Sequence, residues 1–544
     1  RGRNSIMERL TESNKLKEQR KMNKTMRQHS FASRLKSLAL AFGITLAFAS
    51  CANEEIAQNP NGKDYDANLT TFSTGDPTTR TSMESNGTFY WESGDKIWVK
   101  DDNGAWQQSS NAPTEKTASF KFKVPGKFTK GNTYKVYYPG KNGNKDQVSI
   151  AANQSQAEPN TTAHFGTSGD CGMADATWSN VKNGFAFTLD HKAAYLLFLP
   201  RTANTILHDC YLTKVEVNSD NDITSTYTLD PTTGELTGTG TGKQIILMTK
   251  GSGTYANGFS LTNNATSAAT NGAYVVIKPG THILKIRYWV KDVATGIEGT
   301  ITKTLSSATY DQNKYYNITA NLDIKNYDGD KYYMWDAQEQ YWKGHEWNLG
   351  GSQPTLSQGL TGATTSNDYA KSNADSRYYN ESFTYGADNK ATHTSCKDLP
   401  NVNEMIWYAA KGEPRWDGDE LWTTMGHLYK GGMWFKKKAN ISGFDANKAV
   451  DGNDWRTNSG ARRTWSVSLT LPDAADANNY FYLPALGYYY IGRLNNVGGD
   501  GRYWSSSAYP LYSRKAYLLT IYRGGVYVDT GDRNFGFRVD ALFE

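Results

Sequence analysis

A mainly β chain of more than one domain is what this sequence predicts, and three observations carry the prediction. Of 544 residues, 35 are Tyr and 50 are Gly, and aromatics reach 13%, a balance that suits strands and turns more than helices. Short strand-like runs recur from Thr88 onward between Gly, Asn, Pro and Thr punctuation. Long helical periodicity is missing, and the length is enough for about two to four domains.

The first element is a leader. Residues 1–50 carry eleven Lys and Arg against three Asp and Glu, whereas from Cys51 onward the count is 48 against 51. The body is therefore near neutral and lacks the broad basic footprint that nucleic acid requires. A basic segment, "MNKTMRQHSFASRLK", precedes an apolar core from Leu38 to Ala49 and the small residues Ala49 and Ser50. That order reads as a secretory signal, and its core is shorter than the ~20 residues of a spanning helix. It resembles a bacterial lipoprotein signal, although Phe48 stands where Leu is usual. The resemblance implies acylation of Cys51 as the new N-terminus, with Met22 as the start. Glu54 and Glu55 are similar to the surface-export signal of Bacteroidetes lipoproteins. An ordinary signal with an incidental cysteine is the plainer alternative.

Residues 52–80 are polar apart from "ANLTTFST". Strand candidates then follow in "DKIWVK", "TASFKFKV", "TYKVYYPG", "GFAFTLDHKAAYLLFLP", "YLTKVEV", "KQIILM", "AYVVIKPG" and "HILKIRYWVKD". Phe120, Phe122 and Val124 alternate with polar neighbours, as a half-buried strand requires. Near residue 325 the texture changes to a Trp- and Tyr-rich, more irregular α+β region. One short helix stands out, "LPNVNEMIWYAAKG", with Asn401 as cap, Glu404 as its capping-box partner and Gly412 at its end. Val402, Met405, Ile406 and Ala409 share one face. Strands resume at "TWSVSLTL", "KAYLLTIYRGGVYVD" and "NFGFRVDALF".

The β part resembles the fimbrillin family of Bacteroidetes pilins. The resemblance lies in "TRTSMESNGTFYWESGDKIWVK", "GDCGMADATW", "FTLDHKAAYLLFLP" and "RYWVKDVATGIEGTITKTLSSATYDQNKYYNITANL", and covers about residues 65–325. It implies two transthyretin-like β-sandwiches in tandem, at 81–200 and 201–325, after a leader at 1–50 and an anchored segment at 51–80. The second part, 326–544, resembles the C-type-lectin-like fold shared with formylglycine-generating enzymes through "LPNVNEMIWYAAKG", "FYLPALGYYY", "GRYWSSSAY" and "RNFGFRVDALF". Catalysis does not follow, because those enzymes need a cysteine pair and this region has Cys396 alone.

The remaining candidates each have a bland counterpart. Cys171 and Cys210 form either a bridge or two buried thiols. His191 lacks a nucleophile and an orienting carboxylate in any triad pattern, so a structural role is expected. In "GEPRWDGDE", Asp417, Asp419 and Glu420 are hard oxygen donors or a solvated acidic turn. Tyr488, Tyr489, Tyr490, Tyr503 and Trp504 either stack on sugars or fill the core. Tyr512 and Arg514 in "SAYPLYSR" are the assigned ligand contacts.

The resulting expectation is a surface lipoprotein pilus subunit, exposed at the outer membrane, without catalytic, metal or cofactor sites. Fimbrillin resemblance implies a cut between Arg80 and Thr81 by a trypsin-like protease, unless Arg80 is an ordinary surface residue. It also implies strand addition between sibling pilins. The final strand, "NFGFRVDALF", has Phe535, Phe537, Val539 and Ala541 on one face and ends at Glu544. It is expected to close its own domain, which makes the subunit a tip adhesin for a glycan or surface-protein receptor. The alternative is a surface glycan-binding lipoprotein outside any pilus.

Overall fold

The computed structural model describes residues 68–74, 82–83, 89–356, 364–381, 390–458 and 462–544. The chain is mainly β, as its composition predicts. In the first β-body the strands run in the order Trp106–Gln108, Trp98–Lys100, Tyr134–Tyr138, Gly172–Ser179, Gly184–Phe187, Leu69–Thr74 and Lys121–Pro125. Alternation builds this sheet. Phe122 and Val124 are wholly buried while Lys121 is exposed, and Phe120 packs half-buried beside them. Trp91 fills the centre of the core, edge-on to Phe122 and Tyr138.

The second β-body takes in chain that a division at residue 200 assigns to the first. Ala194–Arg201 pairs antiparallel with Ala273–Ile277 and parallel with Tyr315–Asn321. Asn153–Ser155 pairs with Gln244–Met248, and Gln147–Ser149 with Thr226–Leu229. The cause is visible in "AYLLFLP", which is buried at every position from Ala194 to Pro200. A strand covered on both faces belongs at the centre of a body, and neighbours from both sides of it in sequence supply that cover.

The facing sheet sets Cys210–Ser219 between Gln244–Met248 and Leu284–Asp292, with Glu298–Thr304 next. It does not stop at the change of texture near 325. Thr300 pairs in parallel with Glu420 of Arg415–Thr424, which continues into His427–Lys436 and Tyr480–Pro484. One sheet thus runs from the second β-body into the C-terminal region.

The C-terminal region holds a second sheet, in the order Tyr332–Tyr333, Phe537–Arg538, Asp500–Ala508, Lys515–Tyr522, Gly525–Asp532 and Arg463–Trp465. Its helix, Val402–Lys411, has the expected cap: Asn401 accepts from the Glu404 amide, and the Glu404 carboxylate accepts from the Asn401 amide. The expected face, Val402, Met405, Ile406 and Ala409, is the buried one. Two strands are shorter than the pattern predicts. After Trp465 the chain leaves its partner, and Ser468 instead bonds to Pro414 and Trp416 through both its N–H and C=O. The last strand is only Phe537–Arg538, because Arg538 points inward, fully buried over Tyr332 and paired with Asp540. Beyond it the tail is fastened by Leu542 and Phe543 packing and by the Glu544 carbonyl, which accepts from the Lys438 amide and the Tyr408 hydroxyl.

Candidate functional site

The residues most suggestive of function form an inserted strand. Leu69–Thr74 lies between Gly184–Phe187, in parallel, and Lys121–Pro125, antiparallel. Neither partner is near it in sequence, so the strand occupies an interior slot filled from a distance. Phe72 is fully buried, stacked on Phe185 at 5.0 Å and edge-on to Phe128 at 5.1 Å. Gly184 is required there, since a Cβ would lie 2.6 Å from the Thr71 carbonyl oxygen. The end is clasped by Lys182 Nζ donating to the Thr74 carbonyl at 2.8 Å. Cys51, Arg80 and Thr81, the positions expected from the sequence for lipidation and processing, lie outside the described residues.

The acidic stretch near 417 is neither a cation cage nor a solvated turn. Arg287, from the second β-body, donates to both Asp417 oxygens at 2.8 and 3.1 Å, and Trp434 Nε1 donates to Asp417 at 2.9 Å. Arg287 and Asp417 are both almost completely buried. Glu420 accepts from the Thr302 amide at 2.9 Å and from the Thr300 and Thr302 hydroxyls at 2.9 and 2.7 Å. Only Asp419 faces outward, toward Lys430 at 3.3 Å. These acids weld the C-terminal region to the second β-body.

Burial opposes the charge on Asp417, but Arg287 outweighs it and holds that carboxyl below its usual range. Burial, and then the Asp417 charge, push Glu420 up to about 7. The two signs define a window. A raised carboxyl stabilises the fold below its unfolded value and loses that contribution as pH climbs to about 7. The lowered Asp417 does the reverse in acid. The stability advantage of the wild type over Glu420→Gln should therefore fall by on the order of 2 kcal/mol between about pH 5 and pH 8. Chemical denaturation of both proteins at the two pH values measures it, and an unchanged difference removes Glu420 as the titrating group.

Other candidates resolve by burial. Tyr489, Tyr503 and Trp504 are core residues, with polar atoms donating to the carbonyls of Pro354, Pro484 and Tyr333. Tyr490 alone of that set is exposed, stacked on Phe535 at 4.3 Å, while Tyr488 sits half-buried under Arg502. Tyr512 and Arg514 are at the surface, Tyr512 parallel to Tyr509. Cys171, Cys210 and Cys396 are free and buried, which replaces the possible Cys171–Cys210 bridge with two thiols. Burial pushes the Cys210 and Cys396 thiols up to about 12, far from nucleophilic thiolates. His191 is sealed beneath Phe89 at 3.9 Å, with Nδ1 on Asp170 at 2.9 Å and the Tyr195 hydroxyl donating to the same carboxylate. Among the described residues no group of three His, Cys, Asp or Glu converges as a metal site.

Arg287 is the functional residue that sequence reasoning misses. In "HILKIRYWVKD" the apolar set Leu284, Ile286, Tyr288 and Val290 marks one buried face, and Lys285 and Arg287 fall on the other. Only the later arrival of 415–436 covers that second face.

The fold therefore defines a mainly β, multi-body protein with an interior strand supplied from the N-terminal side. No family model matches the chain, and no curated protein matches it. Among solved structures, it is similar to a protein of Bacteroides ovatus provisionally named a cell adhesion protein, at 15% identity and a TM-score of 0.29, covering 46% of this chain and 93% of that one. It is also similar to a fimbrial protein of Bacteroides ovatus, at 12% identity and a TM-score of 0.25, covering 86% of this chain and 99% of that one. The fimbrial anchor protein Mfa2 of Porphyromonas gingivalis matches at 11% identity and a TM-score of 0.22, covering 44% of this chain and 82% of that one.

Proposed function

We propose that this protein is a fimbrillin-type pilus subunit, exported as a surface lipoprotein, that caps the fibre as an adhesin and catalyses no reaction. The observation that carries the reading is the interior strand Leu69–Thr74, which fills a slot between two sequence-distant strands. A cut between Arg80 and Thr81 would leave that strand held by hydrogen bonds and Phe72 alone. A partner's strand could then take its place, with main-chain bonds supplying affinity and alternate side chains supplying register. Acylation at Cys51 would hold the precursor at the outer membrane, where more than one acyl chain anchors firmly.

A tip position is supported by the place of Phe537–Arg538 in its own sheet. Phe537–Arg538 pairs inside the C-terminal sheet, and withdrawing it would expose the buried Arg538 and the packing surface of Phe537. A segment so committed accepts no second role as a donor strand. Tyr512 and Arg514 are the exposed pair proposed to meet a receptor.

Immunogold labelling of isolated pili, with mass spectrometry of the same material, tests the reading. Label at fibre ends together with Thr81 as the N-terminus is the expected result. Label along the shaft overturns the tip position, and Cys51 as the N-terminus in assembled fibres overturns the processing step.

A further inference from the structure

A cleft in the C-terminal region is built like a carbohydrate subsite. It has a volume of about 380 Å³ and lies among Asn326–Asp330, the 3-10 turn Trp347–Leu349 and Met425. Its wall is Trp347, half-buried, and the chain around that ring is shaped to fit it. A Cβ on Gly329 would lie 3.0 Å from Trp347 Nε1, and one on Gly426 would lie 3.3 Å from its Cζ3. Gln353, which is 5% exposed, ties both sides together. Its Nε2 donates to the Gly329 carbonyl at 2.9 Å and its Oε1 accepts from the Trp347 amide at 3.2 Å. A tryptophan held this way keeps its position without ligand, which lowers the ordering cost of binding.

Three acids of the polar lining are free to serve a ligand. Asp328, Asp330 and Glu339 make no side-chain hydrogen bond or ion pair to other described residues. Asp330 and Glu339 lie close enough to Tyr333 to raise its phenol, after burial itself. Glu346 and Gln340 instead shape the cleft: Gln340 Nε2 donates to Glu346 at 3.1 Å, and Gln340 Oε1 accepts from the Trp342 amide at 2.7 Å. Among the described residues these acids do not gather as a metal site. They are spread as separate acceptors beside an aromatic ring. Hydroxyl groups donate to such acceptors, and the apolar face of a pyranose suits the ring.

We infer that this cleft binds a neutral hexose or N-acetylhexosamine unit of a surface glycan. Asp328, Asp330, Glu339 and Glu346 face a single cation, Lys343, in the lining, so sialylated, uronic or sulfated sugars meet like charge and are disfavoured. The inference rests on the adhesive reading for its biological setting, but not on pilus assembly.

Purified full chain should be tested against paired arrays of neutral and anionic glycans at ~0.15 M salt, where exposed charges are screened beyond about 8 Å. Binding to neutral glycans is expected, weakened about tenfold or more by Trp347→Ala and largely kept by Trp347→Phe. Asp330→Ala, at an exposed position, should weaken binding with no change in thermal unfolding, which covers the case in which Trp347→Ala disturbs the fold. Preference for anionic glycans, binding indifferent to both the Trp347→Ala and Asp330→Ala changes, or capture only of a Lys- and Arg-rich peptide would each overturn the inference. Glycan binding by a protein absent from pili would leave it standing and remove only the pilus assignment.

Discussion

Asp417→Ala should cost about 3–5 kcal/mol and separate the unfolding of the C-terminal region from that of the second β-body. Arg287 and Asp417 have side chains 3% and 2% exposed, with two direct bonds between them. Removing the carboxylate leaves a desolvated guanidinium whose remaining neighbours are the Thr302 hydroxyl at 3.3 Å and Glu420 at 4.0 Å. Glu420 can assume the counter-charge only by ionising, so the loss should be larger at pH 5 than at pH 8. Replacing both partners together, Arg287→Met with Asp417→Leu, should cost far less, because no charge is then stranded. Denaturant unfolding followed by tryptophan fluorescence measures all three proteins. A single-variant loss below about 1 kcal/mol would show that the pair sits in water rather than in a sealed joint.

Phe72→Ala should destabilise the first β-body by about 3–5 kcal/mol, the usual range for removing a buried aromatic ring. The ring packs against Phe185 and against Phe128 and Tyr134, which lie in two separate parts of the chain. Phe185 and Tyr134 are held in their strands and cannot collapse into the space without moving them. In a chain cut after Arg80 the same change should speed release of the N-terminal piece, because Phe72 is the one wholly buried apolar side chain of its strand. Release can be followed by size exclusion after protease treatment. Equal release from the cut wild type and the cut variant would show that the backbone ladder, not Phe72, retains the strand.

What could be read from the sequence was whatever depends on near neighbours. Asn401, Glu404 and the stripe from Val402 to Ala409 describe a helix by themselves, and it forms at 402–411. Lys515–Tyr522 and Gly525–Asp532 form the hairpin that "KAYLLTIYRGGVYVD" implies. Features decided by distant segments were not legible. "AYLLFLP" shows a doubly buried strand but not which body buries it. Asp417 and Glu420 read as solvent-facing because their cover, Arg287, Thr300 and Thr302, lies more than a hundred residues away. Arg538 alternates as an outward residue, and Tyr332, Asp540 and the Asp328 carbonyl make its burial tolerable. The cleft at Trp347 depends on Gly329 and Gly426, which come together only in the folded chain.

The sheet shared by the second β-body and the C-terminal region also decides how the molecule yields to a pull. Leu284–Asp292 with Glu298–Thr304, and Arg415–Thr424 with His427–Lys436, are zipped along much of their lengths. Between Glu298–Thr304 and Arg415–Thr424 the ladder is the single pair Thr300 and Glu420, backed by Asn326–Tyr327 against Thr423–Thr424. Tension applied between the two regions would concentrate at that seam. The seam would part while the strands on either side stayed paired, with only the short chain between Asn321 and Tyr332 free to extend. Reclosing that seam would require the buried Arg287 and Asp417 side chains to find each other again.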